Sequence, residues 1–343
     1  KRIKETDTDS RFESELHSIV RDLNNDHSQV VSYNDLRGIL GVYYNDEPYK
    51  TTYKSIFTNK KVIERYKIEK GEKLGEGSRN EKIASDYPSN IIAKDIVDNK
   101  VAYIYMPSME GNYDITKRDM DIVEDYISTR RIYDAIVLDI RGNGGGSDIY
   151  WRCAISTLTN KTLESTSYIL FRTNSNVMKN ALEHKVNYRK GLWTIKDIKD
   201  LPNSTITKAP EESKTMFDKF VDMKYKVEPK GNGGFNGKVY LLVDKQVYSA
   251  AEGMAIFCKE TRYATIIGEK TGGDGLGFEP VLFNLNNSGI IVKIAGGMGL
   301  TESGVCNEEF KTTPDVLVNN CTRSNNLNED KCIQKVLELE KLK

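Results

Sequence analysis

An α/β fold built on a largely parallel sheet is what the sequence predicts, on three observations. Continuous apolar runs recur at 101–107, 135–140, 239–244 and 264–268, short and unbroken as strands buried on both faces are. The first three of these runs are each followed by residues at helical spacing, the alternation of a parallel α/β unit. With 343 residues, 38% of them hydrophobic, the chain can bury a core of that size.

Taken in order, residues 10–24 place Phe12, Leu16, Ile19, Val20 and Leu23 at helical spacing, and the helix runs out into the polar stretch Asn24-Asn25-Asp26-His27-Ser28. Residues 50–100 are rich in Lys, Thr and Tyr; alternation in Lys-Val-Ile-Glu-Arg-Tyr-Lys-Ile (61–68) predicts small solvated strands. From Asn99 the texture changes. A strand at 101–107 precedes a helix over 117–132 carrying Met120, Ile122, Val123, Tyr126 and Ile127. The strand 135–140 is followed by a glycine-rich turn and a helix from Ile149 to Leu158. The polar, Lys-rich stretch 174–236 is expected to be an excursion from the core, a lid. Strand 239–244, a turn opening into a helix over 246–259, and strand 264–268 complete the core, and an amphipathic helix follows Asn328. The expected division is an N-terminal helical and small-strand region over 1–98, a core over 99–320 containing the excursion 174–236, and a C-terminal helical segment over 321–343.

Charge excludes several functions. Lys+Arg 50 against Asp+Glu 50 gives a formal net charge of +0, whereas neutralising nucleic-acid phosphates or an anionic membrane needs a basic surplus. No apolar run approaches the ~18 residues of a membrane span. The sequence starts at Lys1 with no Met and no signal-like apolar segment, so it is expected to be a mature or trimmed form. Five Cys in so long a chain do not make a disulfide framework, although Cys321 and Cys332 flank a short polar segment and could pair in an oxidising setting. Without a C-x-x-C pair and with three His, no structural zinc site is expected.

Two turns carry candidate chemistry. Ser249, in Tyr-Ser-Ala-Ala-Glu (248–252), stands where a buried strand breaks and a helix begins. There a hydroxyl is rigidly held beside the unpaired amides of a helix's first turn, which suit an oxyanion. A serine in that place also suits plain helix capping. Asp-Ile-Arg-Gly-Asn-Gly-Gly-Gly (139–146), ending in Ser147, follows another buried strand. Its glycines let the backbone approach a ligand and aim amides into a concavity; with no Lys after it, the turn is a poor match to a nucleotide phosphate loop. If both turns open at one sheet edge, hydroxyl and amides converge as acyl transfer requires.

The turn 139–146 resembles a segment of the carboxy-terminal processing (tail-specific) serine proteases, shared with their tricorn-core relatives. Tyr-Ser-Ala-Ala-Glu resembles that family's nucleophile turn, and residues 262–275 and Thr-Pro-Asp-Val-Leu-Val (313–318) are similar to two further segments in the same order. The resemblance covers about 99–320 and implies a crotonase/ClpP-like α/β core and a serine peptidase acting on peptide or protein substrates, with no metal or organic cofactor. Residue by residue, it implies Ser249 as nucleophile, the amides of Ala250 and Gly145 as oxyanion donors, and Gly144 and Gly273 against substrate. The Ser-Lys branch has its general base where this chain has Asp274, and a carboxylate cannot play a desolvated amine. Leu23-Asn-Asn-Asp-His27-Ser28 resembles instead the stretch that supplies histidine in the tricorn-like branch, with Glu308, or its neighbour Glu309, expected to support the ring. His17 and His184 are expected to be structural. No counterpart of the family's PDZ module is evident over 35–95. Kinship also implies an extracytoplasmic location. The competing expectations are an inactive relative that binds peptide or apolar ligand in the cleft and, more distantly, an acyl-CoA enzyme of crotonase type.

Overall fold

The computed structural model describes residues 2–36, 43–44, 47–68, 89–128, 133–189, 192–231 and 234–342. In chain order its first half contains α1 (Asp9–Arg21), β1 (Gln29–Val30), α2 (Tyr49–Phe57), α3 (Lys60–Tyr66), β2 (Ile92–Val97), β3 (Val101–Tyr105), α4 (Tyr113–Ser128), β4 (Ala135–Asp139) and α5 (Asp148–Leu158). There follow β5 (Leu163–Phe171), α6 (Asn176–Tyr188), β6 (Lys196–Asp197), β7 (Lys219–Val227), β8 (Lys238–Val243), α7 (Ala250–Thr261) and β9 (Thr265–Gly268). The chain closes with β10 (Val281–Asn284), β11 (Ile291–Ile294), β12 (Met298–Thr301), α8 (Asn307–Phe310), β13 (Val316–Leu317) and α9 (Lys331–Leu339).

Six strands form the central sheet in the order β13-β9-β8-β4-β3-β2. Every pairing is parallel except β2 with β3 at the edge. Alternate side chains explain the unbroken apolar runs. Ala102, Ile104, Ile136, Leu138, Leu241, Val243 and Ile266 face Met120, Val123, Trp151, Ile155, Met254 and Phe257 of α4, α5 and α7. Their neighbours Val101, Tyr103, Ala135, Val137, Tyr240, Leu242 and Ile267 face Ile333, Val336 and Leu337 of α9. Both faces are therefore covered, and neither needs polar residues.

Two smaller antiparallel sheets flank this core, β12-β5-β7-β6 and β1-β11-β10. The excursion 174–236 is tied down along one strand: β7 pairs with β5 over nine residues, from Leu163↔Val227 to Phe171↔Lys219. The N-terminal arm is tied by far less, β1 pairing with β11 at Gln29↔Lys293 and Val30↔Val292.

The expectation of small strands at 61–68 is corrected, for α3 occupies Lys60–Tyr66. Asn59 caps it by accepting from the Lys61 and Val62 amides, and Val62 and Tyr66, one turn apart, are buried against Tyr53, Ile56 and Phe57 of α2. The comparison with a PDZ module over 35–95 reaches into 69–88, which lie outside the described residues. Cys321 and Cys332 are free, buried thiols. Among the described residues no helix is long and apolar enough to cross a membrane.

Candidate active site

Parallel strands end at one sheet edge, so the turns after β4, β8 and β9 meet there. The turn after β4 is held by its polar residues. The Arg141 guanidinium forks between the buried carboxylates of Asp139 (2.9 and 2.6 Å) and Asp330 (3.0 and 2.8 Å), and also donates to the Cys321 carbonyl at 2.8 Å. Asn143 Nδ2 donates to the Met106 carbonyl (2.9 Å), while the Asn143 carbonyl accepts the Tyr248 amide (3.2 Å). This last bond ties the glycine turn to the turn that carries Ser249.

Ser249 adopts φ 54°, ψ −124°, a conformation that costs a residue with a Cβ about 1–3 kcal/mol. It occupies the N-cap position of α7 but makes no capping bond, so helix capping is not its job. Its amide donates to the Gly273 carbonyl at 3.3 Å and its carbonyl accepts from Gly253 at 2.9 Å, so the backbone is fixed while the hydroxyl has no hydrogen bond among the described residues. Strain of this kind, holding a serine at a sharp strand-to-helix turn, aims the side chain out of the sheet edge.

Gly145 lies directly against this turn. A Cβ placed on it would come within 2.8 Å of Ser249 Cβ and 2.9 Å of the Ala250 nitrogen, so only glycine fits. The expected donors are only partly open. Among the described residues the Ala250 amide has no acceptor, but the Gly145 amide already donates to Asn143 Oδ1 at 2.8 Å. The amides of Gly144 and Gly146 are the ones in that turn left without an acceptor among the described residues. At Gly144 a side chain would meet only open space, whereas Gly273 is backed by the Asn307 carbonyl oxygen and the Lys311 side chain, both 3.2 Å from a Cβ there.

His27 arrives from the arm, 247 residues from its partner in sequence. Its Nδ1 lies 2.5 Å from Asp274 Oδ2, and its ring centroid 5.2 Å from that of Tyr248, the residue before Ser249. No hydrogen bond joins the ring to Ser249 Oγ among the described residues. Asp274 Oδ2 also accepts from Tyr248 Oη at 2.8 Å and Asn25 Nδ2 at 3.0 Å. The ring's direct partner is Asp274, and Glu308, expected to support His27, stands one residue further out, accepting from Asn25 Nδ2 at 2.9 Å through Oε1. Glu309 takes no part in these bonds and is exposed.

The two carboxylates are driven apart. Burial alone would raise Asp274, but the hydrogen bond and charge of His27, then the Tyr248 and Asn25 donors, outweigh it and hold the group below its ordinary value. Burial first, then the charge of Asp274, push Glu308 above its ordinary value. Asp274 is thus the carboxylate whose ionised form is favoured beside the ring. Sequence reasoning missed it and Asn25. The usable signal was the exchange itself, a carboxylate standing where the Ser-Lys branch has its lysine in a chain that carries a histidine on its arm.

Beyond Asp274 and Glu308 opens a cavity of about 390 Å³ walled by Leu23, Met178, Phe217, Leu276, Ile294 and Met298. Its floor is braced by Glu252 of α7. Oε1 of Glu252 accepts from Asn307 Nδ2 (2.6 Å) and Thr312 Oγ1 (2.7 Å), and Asn307 Oδ1 accepts the Gly275 amide (2.8 Å).

The edge brings a strained serine and a histidine–carboxylate contact together, an arrangement suited to hydrolysis through a serine. The model of Peptidase family S41 matches residues 100–318, and the chain belongs to that family of serine peptidases. Among solved structures, a candidate peptidase from Parabacteroides merdae is similar over 97% of this chain and 83% of its own, at 15% identity and a TM-score of 0.57. Mature CPAF is similar over 74% of this chain and 52% of its own (16% identity, TM-score 0.46). For the photosystem II D1 C-terminal processing protease the shares are 72% and 50% (18% identity, TM-score 0.42), so this chain spans about half the length of those two. No curated protein matches the chain.

Proposed function

We propose that the chain cleaves peptide bonds through an acyl-enzyme on Ser249, with His27 as general base and Asp274 as the carboxylate that orients it. The observation that carries this is the His27–Asp274 contact, made beside a strained serine whose hydroxyl is not used for capping. A proton on Nδ1 facing Asp274 leaves Nε2 with the lone pair that can take the Ser249 proton. Ser249 Oγ then bonds to the scissile carbonyl carbon, and the carbonyl electrons move onto oxygen, where the Ala250 amide and an amide of the Gly144–Gly146 turn receive them. The ionised Asp274 stabilises the imidazolium so formed. Collapse of the intermediate breaks the C–N bond, His27 returns its proton to the leaving amine, and water frees the acyl group by the same steps. Asp274 in the lysine's place favours the Ser-His arrangement of the tricorn-like branch over a Ser-Lys dyad. In apo geometry the Ser–His bond is often open and tightens once substrate is bound.

The test is turnover of a fluorogenic peptide library. Ser249→Ala is expected to lose at least ~10⁴-fold in kcat with an unchanged melting temperature. A folded Ser249→Ala variant as active as the parent removes the proposal.

A further inference from the structure

Lys311 ends α8 at φ 58° and ψ −179°, backbone that glycine enters freely and a residue with a Cβ enters only under strain. Strain at one position is worth asking about when the side chain it presents has somewhere to go. The stem of Lys311 leans over Gly273, whose carbonyl holds the Ser249 amide; a Cβ on Gly273 would lie 3.2 Å from Lys311 Cγ. Beyond it, on the far side of Asn307 from the apolar cavity, a second cavity of about 480 Å³ is lined by Lys208, Lys259, Glu260, Ser303, Lys311 and Thr313, among others. Asn307 lines both cavities.

The charges of this second cavity do not cancel. Lys259 is paired with Asp315. Lys208 and Lys311 form no ion pair among the described residues, although the charge of Lys311 reaches Glu308 at longer range, and Glu260 is the one acid in the lining. A concave site next to Ser249, with two ammonium groups outside any ion pair among the described residues, is complementary to a carboxylate.

We propose that Lys311 is a specificity residue, anchoring an acidic side chain of the peptide substrate in the cavity beyond Asn307. This rests on the peptidase reading of Ser249. It also accounts for the strain: a glycine would relieve the backbone and remove the cation.

Binding to the Ser249→Ala protein tests it without turnover. The probes are fluorescent peptides acetylated and amidated at their ends, identical except for Glu or Gln at one position, scanned along the peptide. At one position the Glu peptide is expected to bind ~10-fold tighter than its Gln partner at low salt, with the gap narrowing as salt is added. In Ser249→Ala, Lys311→Gln the gap is expected to fall within about twofold. In Ser249→Ala, Lys311→Gly it falls likewise while the melting temperature rises, since the strain is gone. Equal binding of Glu and Gln peptides at every position overturns the proposal. So does a preference that survives Lys311→Gln. Turnover of the same peptides by the parent protein judges the peptidase reading separately: discrimination without hydrolysis keeps Lys311 and discards the peptidase, and hydrolysis without discrimination does the reverse.

Discussion

Ser249 and His27 reach the same sheet edge by different means. Ser249 hangs between two core elements, its backbone bonded to Gly273 and Gly253, with Gly145 packed against its Cβ. His27 rides on an arm joined to the rest by a two-residue strand, the burial of Leu16, Val20 and Val30 against Ile290 and Val292, and a set of side-chain bonds. Ser28 Oγ accepts the Ala295 amide and donates to Asn25 Oδ1, and Asn25 in turn reaches Asp274 and Glu308. The Ser249 side is set by main-chain bonds that most substitutions leave alone. The His27 side converges on one carboxylate oxygen, Asp274 Oδ2, and so depends on single side chains.

That contrast orders the expected effects. Asp274→Asn strips the charge that orients His27 and should cost ~10²–10⁴-fold in kcat, whereas Glu308→Gln, one residue removed, should cost less than about tenfold. If Glu308→Gln proves the more damaging, Glu308 and not Asp274 is the working partner. Tyr248→Phe keeps the ring beside His27 and removes one of three donors to Asp274, so a loss of only a few-fold in kcat is expected. A loss as large as that of Asp274→Asn would make the phenol itself essential.

The smallest effect is on stability. Asp274 is held below its ordinary value in the folded protein. Its ionised form therefore stabilises the fold above the unfolded carboxylate value of ~3.9, and this contribution is lost as pH falls through the folded value. The melting-temperature gap between the parent and Asp274→Asn should be present at about pH 5 and close as pH falls below about 4. A gap unchanged at pH 3 would show that the arm is not held by this charge.

The same contrast decides what was legible in the sequence. The core strands were readable because burial on both faces leaves unbroken apolar runs, and Ser249 and the glycine turn because each lies where such a run gives way to a helix. Residues 61–68 misled because Val62 and Tyr66, four apart, fit either period, and the Asn59 cap that settles the matter lies just outside the run. His27 was found by resemblance. Asp274 was seen only as a missing lysine, since its role depends on a residue 247 positions away. Asn25 carries no signal in its own neighbourhood, as both of its carboxylate partners come from the far end of the chain.

The central claim is that Ser249 is activated by His27 through Asp274, and the rate of covalent labelling by a fluorophosphonate reads it directly, with the modified residue located by mass spectrometry. The account predicts a single adduct on Ser249, formed at least ~10²-fold more slowly in His27→Ala and Asp274→Asn and within a few-fold of the parent rate in Glu308→Gln. Equal rates in the parent, His27→Ala and Asp274→Asn, or an adduct on another residue, would contradict it.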